Sequence, residues 1–182
     1  MDRLQKAALL TQTIEELEDQ GSWCGETHIQ KAVYLLQALF GTPTDFDFVL
    51  YRHGPFSFDL RAELTALRAD ELVRLSYVNQ EYGPRILITE RAQKLGDRYP
   101  KTIARHQAAI SFVAQSVGSK NVSELERIAT AVWVTKHSKK STPVSTRSKA
   151  LQEIKPHISD VLAREAIQTA DKVWAAATRV SQ

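Results

Sequence analysis

The chain has 182 residues, of which 43% are hydrophobic and 25% are charged, a composition that excludes a disordered, collagen-like or membrane-embedded protein. Its single cysteine, Cys24, excludes an internal disulfide. The lack of an export signal and of a bilayer-length apolar stretch predicts a cytoplasmic protein without membrane contact. Charge is divided unevenly: residues 1–90 hold 8 Lys and Arg against 14 Asp and Glu, a net of −6, while residues 91–182 hold 16 against 7, a net of +9.

The first half of the chain mixes helices and short strands. Apolar residues that recur every three or four positions predict three helices, at residues 2–20, 26–40 and 56–67. Alternating or β-branched runs predict three strands, at residues 46–51, 72–78 and 85–88. Gly54-Pro55 is a break between the first strand and the third helix, and residues 79–84 supply a turn between the last two strands. This order is that of a winged helix-turn-helix, in which we expect the second and third helices to pack through Val33, Leu36, Leu60 and Leu64.

The second half is predicted to be helical throughout, with helices at residues 89–99, 101–117, 123–137, 146–154 and 160–177. Ser123 and Glu126 fit a capping box, and the polar run at residues 138–145 predicts an exposed loop. The predicted fold class is therefore α+β and mostly helical. A winged-helix-like N-terminal lobe with a small antiparallel sheet, residues 1–90, is followed by a helical lobe, residues 91–182, which packs on it to give one compact domain.

Residues that could carry catalysis do not form a recognisable grouping. The five histidines are scattered, without the four-residue spacing that places two metal ligands on one helix face. Cys24 next to Trp23 is more typical of a small buried hydrophobe than of a reactive thiol. The seven glycines fall singly rather than in a phosphate-binding loop. The sequence thus predicts no catalytic residue, no metal and no cofactor, and the protein is not expected to be an enzyme.

The segment Tyr51 to Ser57 combines a rigid bend with polar side chains. One interpretation is structural, because Gly-Pro forces a bend and Ser57 can cap the helix that follows. The other is that the segment forms part of a surface that binds a protein partner. The candidate partner-binding residues are Tyr51, Arg52, His53, Gly54, Pro55 and Ser57.

The densest basic stretch of the chain lies in the second half. It is either a solvated loop and helix face or a nucleic-acid-binding patch, for which the candidates are Lys136, Lys139, Lys140, Arg147 and Lys149. The helix after Gly54-Pro55 carries Arg61 and Arg68 against four carboxylates between residues 57 and 71, a net of −2. A recognition helix in the major groove would be expected to carry the opposite charge.

Four segments of the chain resemble a known bacterial family. Residues 29–36, IQKAVYLL, resemble the LQKLLYFL helix, and residues 51–60, YRHGPFSFDL, resemble the YGPYS..L turn, both typical of the YwgA-like family and of the broader Panacea (SocA-like) antitoxin-associated domain. Residues 125–131 and 155–159 resemble the LELLAT and KPxFS segments of YwgA-like proteins. The family pattern defines no residue at the position of His53. The resemblance implies a winged-helix-like core with helical additions, no cofactor and, for Panacea relatives, neutralisation of a toxin by direct protein contact.

Two functions follow as hypotheses. The first is a non-catalytic regulatory or antitoxin-like module that acts by protein-protein binding, with a toxin among the candidate partners. The alternative is a winged-helix nucleic-acid-binding transcriptional regulator that uses its basic C-terminal half. Both hypotheses are compatible with a homo-oligomer. Salt dependence separates the two hypotheses, because phosphate contacts release counterions whereas an apolar interface does not.

Overall fold

The computed structural model describes residues 1–78, 83–139 and 141–181. These residues form eight helices and two separate two-stranded antiparallel sheets, which confirms the mostly helical α+β class. The elements of the first half are α1 (Arg3–Asp19), α2 (Glu26–Phe40), β1 (Val49–Tyr51), β2 (Gly54–Phe56), α3 (Phe58–Ala69), β3 (Val73–Ser76) and β4 (Arg85–Ile88). Those of the second half are α4 (Glu90–Arg98), α5 (Pro100–Val117), α6 (Val122–His137), α7 (Val144–Ile154) and α8 (Asp160–Val180). None of the helices in the described ranges combines the length and the apolar character needed to cross a bilayer.

Side-chain caps explain where most helices begin. Ser57 caps α3 and Ser159 caps α8, each by accepting a hydrogen bond from a backbone N–H of the first turn, as the sequence predicts. The capping box of α6 is instead formed by Asn121 and Glu124, so the prediction of Ser123 and Glu126 is wrong by two residues. Asn121 is itself a strong N-cap with a glutamate three residues on, and the cap of the helix therefore lies two residues earlier than predicted.

The Gly54-Pro55 pair is not a break but part of a strand. β2 pairs with β1 in the register Val49↔Phe56, Leu50↔Pro55 and Tyr51↔Gly54, and the predicted strand at residues 46–51 is shortened to its last three residues. Proline is tolerated in a strand where its missing N–H would not enter the ladder. Here the Pro55 carbonyl accepts a hydrogen bond from Lys31 Nζ on α2, at 3.0 Å. The outer edge of β2 is therefore covered by a helix.

The second hairpin, β3–β4, follows α3 directly and pairs in the register Val73↔Ile88 to Ser76↔Arg85. Its attachment to the rest of the chain includes a backbone bond from Ile86 N–H to the Cys24 carbonyl, 2.9 Å, and a bond from Trp23 Nε1 to the Gly83 carbonyl, 3.0 Å. The turn predicted at residues 79–84 falls largely on residues 79–82, which lie outside the described residues.

One hydrophobic core joins the two halves of the chain. Its centre is α2, in which every residue from His28 to Leu36 is buried and which packs against α1, α3, α5, α6 and α8. The four side chains expected between the second and third helices, Val33, Leu36, Leu60 and Leu64, are all buried. The helix that resembles the family segment therefore lies at the centre of the molecule and reaches β2 as well as α6.

Candidate functional site

The β1–β2 hairpin separates the predicted partner-binding residues into two groups. Tyr51, Arg52 and His53 are exposed, whereas Gly54, Pro55 and Ser57 are buried. Arg52 and His53 form the two-residue loop between the strands, and we call this pair the hairpin tip. The exposed group can meet a partner directly, and the buried group holds the hairpin on the core.

Ser57 is held by a reciprocal pair of hydrogen bonds with a side chain of α2. The Gln30 amide Nε2 donates to the Ser57 carbonyl at 2.8 Å, and the Ser57 N–H donates to Gln30 Oε1 at 2.9 Å. Both residues are fully buried. Because buried backbone groups require a partner, this contact fixes the junction between β2 and α3. Ser57 has a structural role, as the first of its two interpretations predicted.

Gly54 brings the hairpin against α6. Its φ is +87°, a conformation that residues with a side chain rarely adopt. A Cβ atom at this position would fall 2.6 Å from Thr130 Oγ1 and 3.8 Å from the Lys31 side chain. Glycine is therefore required both for the turn and for the close approach of the strand to the helix.

Three ionisable side chains, Glu126, Lys155 and Lys31, lie under the hairpin tip. Glu126 on α6 pairs through Oε1 with His53 Nδ1 at 3.0 Å and through Oε2 with Lys155 Nζ at 3.3 Å. Lys155 is 4% exposed and Lys31 is 1% exposed. Burial lowers the pKa of Lys31 to about 8, against the attraction of the Glu126 carboxylate, which raises it. We call Lys31, Glu126 and Lys155 the buried charge cluster.

An aromatic cluster flanks the tip on the side of α3. Tyr51, Phe56 and Phe58 are in mutual contact, with ring centroids 5.1 to 5.7 Å apart. Tyr51 is 55% and Phe58 54% exposed, while Phe56 beneath them is 9% exposed. The Arg61 guanidinium lies 4.7 Å from the centre of the Phe56 ring and is also paired with Glu26 at 2.7 Å. Tyr51 and Phe58 thus face solvent above the buried ring of Phe56, and the charge of the neighbouring Arg61 is neutralised by Glu26.

The basic stretch of the second half is less uniform than its sequence indicates. Lys136, Lys139 and Lys149 are exposed, and Lys140 lies outside the described residues. Arg147 is only 9% exposed. Its guanidinium forms a bidentate pair with Asp171, at 2.6 and 2.9 Å, and donates to the Thr142 carbonyl and Thr135 Oγ1.

Arg147 therefore ties α7 to α8 and does not belong to the exposed basic surface with which the sequence grouped it. The burial of Arg147 could not be predicted from its charge. In the sequence, a buried arginine whose carboxylate partner is far along the chain looks the same as a solvated arginine. Lys136, Lys139 and Trp174 line a cavity of about 670 Å³ beside this pair.

Metal-ligating side chains are not brought together in the described part of the chain. No set of three His, Cys, Asp or Glu side chains there could hold a metal ion. Cys24 is buried, and burial raises the pKa of its thiol to about 11, which leaves it protonated and unreactive at neutral pH.

Sequence reasoning missed several residues of the site: Gln30, Lys31, Phe58, Glu126 and Lys155. A signal existed for two of them. Gln30 and Lys31 interrupt the apolar run of the second helix, and a lysine on an otherwise buried face requires an internal partner. Glu126 and Lys155 reach the hairpin only through tertiary packing. No known family model matches this chain, and no curated protein matches it at a significant level.

Proposed function

We propose that this chain is a non-catalytic protein-binding module that contacts its partner through the aromatic cluster and the hairpin tip. The observation that carries the proposal is the pair of half-exposed aromatic rings, Tyr51 and Phe58, in contact with each other and with the buried ring of Phe56. Tyrosine, other aromatic side chains and arginine are the residue types that dominate the energetics of protein interfaces.

The anchoring of the hairpin supports the same proposal. Binding costs free energy when loops and side chains must be ordered, and a surface that is already fixed avoids part of that cost. The Gln30 contacts to Ser57, the Lys31 contact to Pro55 and the close packing of Gly54 on Thr130 hold the tip from below. These contacts involve the Pro55 carbonyl of β2 and the backbone of Ser57, and they leave Tyr51 of β1 and Phe58 of α3 exposed.

The resemblance to YwgA-like and Panacea (SocA-like) proteins supports a regulatory or antitoxin-like role, in which the partner is a toxin bound by direct contact. We further propose that residues 1–90 form a variant of the winged helix, because the β3–β4 hairpin follows α3 directly, as a wing does. In this variant, residues 41–57 insert the β1–β2 hairpin between α2 and α3. The insertion is where the proposed partner surface lies.

The proposal is tested by crosslinking in cells of the native host. A photoreactive phenylalanine analogue replaces Phe58, and a matched variant carries the analogue at Tyr77, an aromatic residue of the other hairpin that is 76% exposed. We expect position 58 to capture a specific protein and position 77 to capture none. The captured protein is then purified, and its Kd is measured for the wild type and for the Tyr51→Ala/Phe58→Ala variant.

We expect the double variant to bind at least about 30-fold more weakly, since two interface aromatics each contribute 1 kcal/mol or more. Tyr77→Ala should bind like the wild type. Equal capture at both positions, or an unchanged Kd for the double variant, would refute the proposed surface.

A second candidate function, nucleic-acid binding, is favoured by the exposed lysines Lys136 and Lys139 at the cavity beside Trp174. An aromatic ring next to basic side chains is a common arrangement for binding bases and phosphates. If this function holds, the Lys136→Gln/Lys139→Gln variant should lower the salt dependence of DNA binding, measured by fluorescence anisotropy, by about one to two units of slope. Absence of binding at low salt excludes this function, and a larger effect of Arg61→Gln/Arg68→Gln would locate it on α3 instead.

A further inference from the structure

The buried charge cluster beneath the hairpin tip carries a net positive charge. The buried charge cluster contains two ammonium groups, Lys31 and Lys155, and one carboxylate, Glu126. Glu126 is 14% exposed and is the only anionic side chain paired with Lys155 among the described residues. The nearby Glu26 is already paired with Arg61, at 2.7 Å. The cluster therefore keeps one cation in excess.

A charge excess in the interior acts over a longer distance than one at the surface. Water and salt screen exposed charges within about 10 Å at 0.1 M ionic strength, whereas buried charges are screened much less. Burial also opposes the charged form of an amine, yet the pKa of Lys31 stays at about 8, so this group is mainly charged at pH 7. The excess cation thus contributes to the potential at the nearest exposed surface.

That surface is the hairpin tip. His53 is 64% exposed and directs Nδ1 at Glu126, so its other ring nitrogen, Nε2, lies on the edge away from the carboxylate. Arg52 is exposed and makes no ion pair with any residue that the structure describes. Two nitrogen-bearing side chains that can meet a ligand therefore stand above a cluster with a positive excess, in the two residues that follow Tyr51.

We propose that the hairpin tip binds a carboxylate of the protein partner, an Asp or Glu side chain that neighbours an apolar residue, with Arg52 and His53 as its ligands. The proposal rests on the proposed function, since it names the chemistry of the partner at the same surface. The apolar neighbour packs on Tyr51 and Phe58, and the carboxylate offsets the excess cation below. Lys31 and Lys155 act as positioning residues that favour the anion without touching it.

The test uses two acetylated dipeptide amides that differ only in charge, Phe-Glu and Phe-Gln, titrated into the full chain. Binding is followed by NMR on the side-chain resonances of His53 and Arg52. We expect Phe-Glu to bind with a Kd about three-fold lower than Phe-Gln, the difference that a partly exposed ion pair provides. At equal saturation, the shifts at His53 and Arg52 should be larger with Phe-Glu than with Phe-Gln.

Three variants locate the effect. Arg52→Gln changes an exposed loop residue and should reduce the preference for Phe-Glu to nearly one. Lys155→Met, which lies below the tip, should reduce it as well, and its thermal unfolding is recorded to show that it is folded. Lys149→Gln removes an exposed lysine of α7 and should leave the preference unchanged, which controls for the total charge of the protein.

Equal binding of the two peptides, binding of neither at tens of millimolar, or an equal loss of preference in Lys149→Gln would overturn the carboxylate site. Retention of the preference in Arg52→Gln would do so too. Each of these results leaves the crosslinking outcome at position 58 unaffected. A captured partner whose binding depends on Tyr51 and Phe58 but not on Arg52 would therefore keep the proposed function and remove only this inference.

Discussion

The two hairpins of this protein have strands of three and four residues and are attached to the core in different ways. Helices α2 and α6 cover the outer edge of β1–β2. The contacts are made by buried polar side chains, which are Gln30, Lys31 and Thr130. The contacts of β3–β4 with the preceding segment include a backbone bond to Cys24 and the bond from Trp23 to Gly83. Its strand β3 is followed by Tyr77 and Val78, which are 76% and 66% exposed.

The comparison shows that exposure of apolar side chains is not sufficient to define a binding surface. Tyr77 is more exposed than Tyr51, but the aromatic cluster stands on a hairpin that buried side chains of α2 anchor by hydrogen bonds to the Pro55 carbonyl and to the backbone of Ser57. Such a network is costly to disrupt, since removal of one partner leaves a desolvated group. We therefore expect mutations at the base of β1–β2 to cost much more stability than matched mutations in β3–β4.

The largest difference is expected for matched glycine substitutions. Gly54→Ala places a Cβ 2.6 Å from Thr130 Oγ1 at a φ of +87°, whereas Gly83→Ala meets no atom within 4 Å. Gly54→Ala should lower the free energy of unfolding by about 3 kcal/mol, from backbone strain and overpacking together. Gly83→Ala should change it by less than about 0.5 kcal/mol. Urea denaturation measures both.

The addition of Thr130→Ala to the Gly54→Ala variant removes the clashing hydroxyl but not the backbone strain. It should therefore recover about 1 kcal/mol of the loss. An unchanged stability of Gly54→Ala would show that the hairpin is not held close to α6.

A smaller difference is expected for the side chains that hydrogen-bond each hairpin. Gln30→Ala leaves the buried N–H and carbonyl of Ser57 without a partner and should cost about 2–4 kcal/mol, with the lower value favoured if water enters. Trp23→Phe loses the bond to the Gly83 carbonyl at a partly exposed position and should cost about 1 kcal/mol. Equal losses in thermal or urea unfolding would contradict the comparison.

The smallest effect is the pH dependence of stability that comes from Lys31, which holds β1–β2 to α2. The pKa of Lys31 is lowered from 10.5 to about 8 in the folded state, so the unfolded state binds more protons above pH 8 and stability rises with pH there. From pH 7 to pH 9 the free energy of unfolding of the wild type should rise by about 1 kcal/mol relative to Lys31→Met.

Cys24 has the opposite effect, because a raised thiol pKa lowers stability as pH rises through 9, and it is present in both proteins. It therefore cancels in the difference between wild type and variant. A difference that stays constant with pH would show that the pKa of Lys31 is not lowered in the folded state.

Local patterns in the sequence determined the helices, their caps and the fold class. Residues 26–40 follow an apolar periodicity that ends at Gly41, and α2 has these bounds. Ser57 and Ser159 cap helices because a serine oxygen satisfies a backbone N–H of the adjacent turn, an interaction within four residues. Such features depend on nearest neighbours along the chain, which the sequence lists directly.

Tertiary packing alone decided the features that depend on distant residues. Gly54-Pro55 became a strand because Lys31 supplies the partner of the Pro55 carbonyl, 24 residues away. Arg147 moved from the predicted basic surface into the interior because Asp171 lies beside it in α8. Lys155 and Glu126 meet beneath His53 only after α6 and the segment after α7 have packed. The sequence gives the charge of each residue, but only the tertiary structure determines which residue neutralises that charge, because a long-range contact leaves no signal in the local sequence.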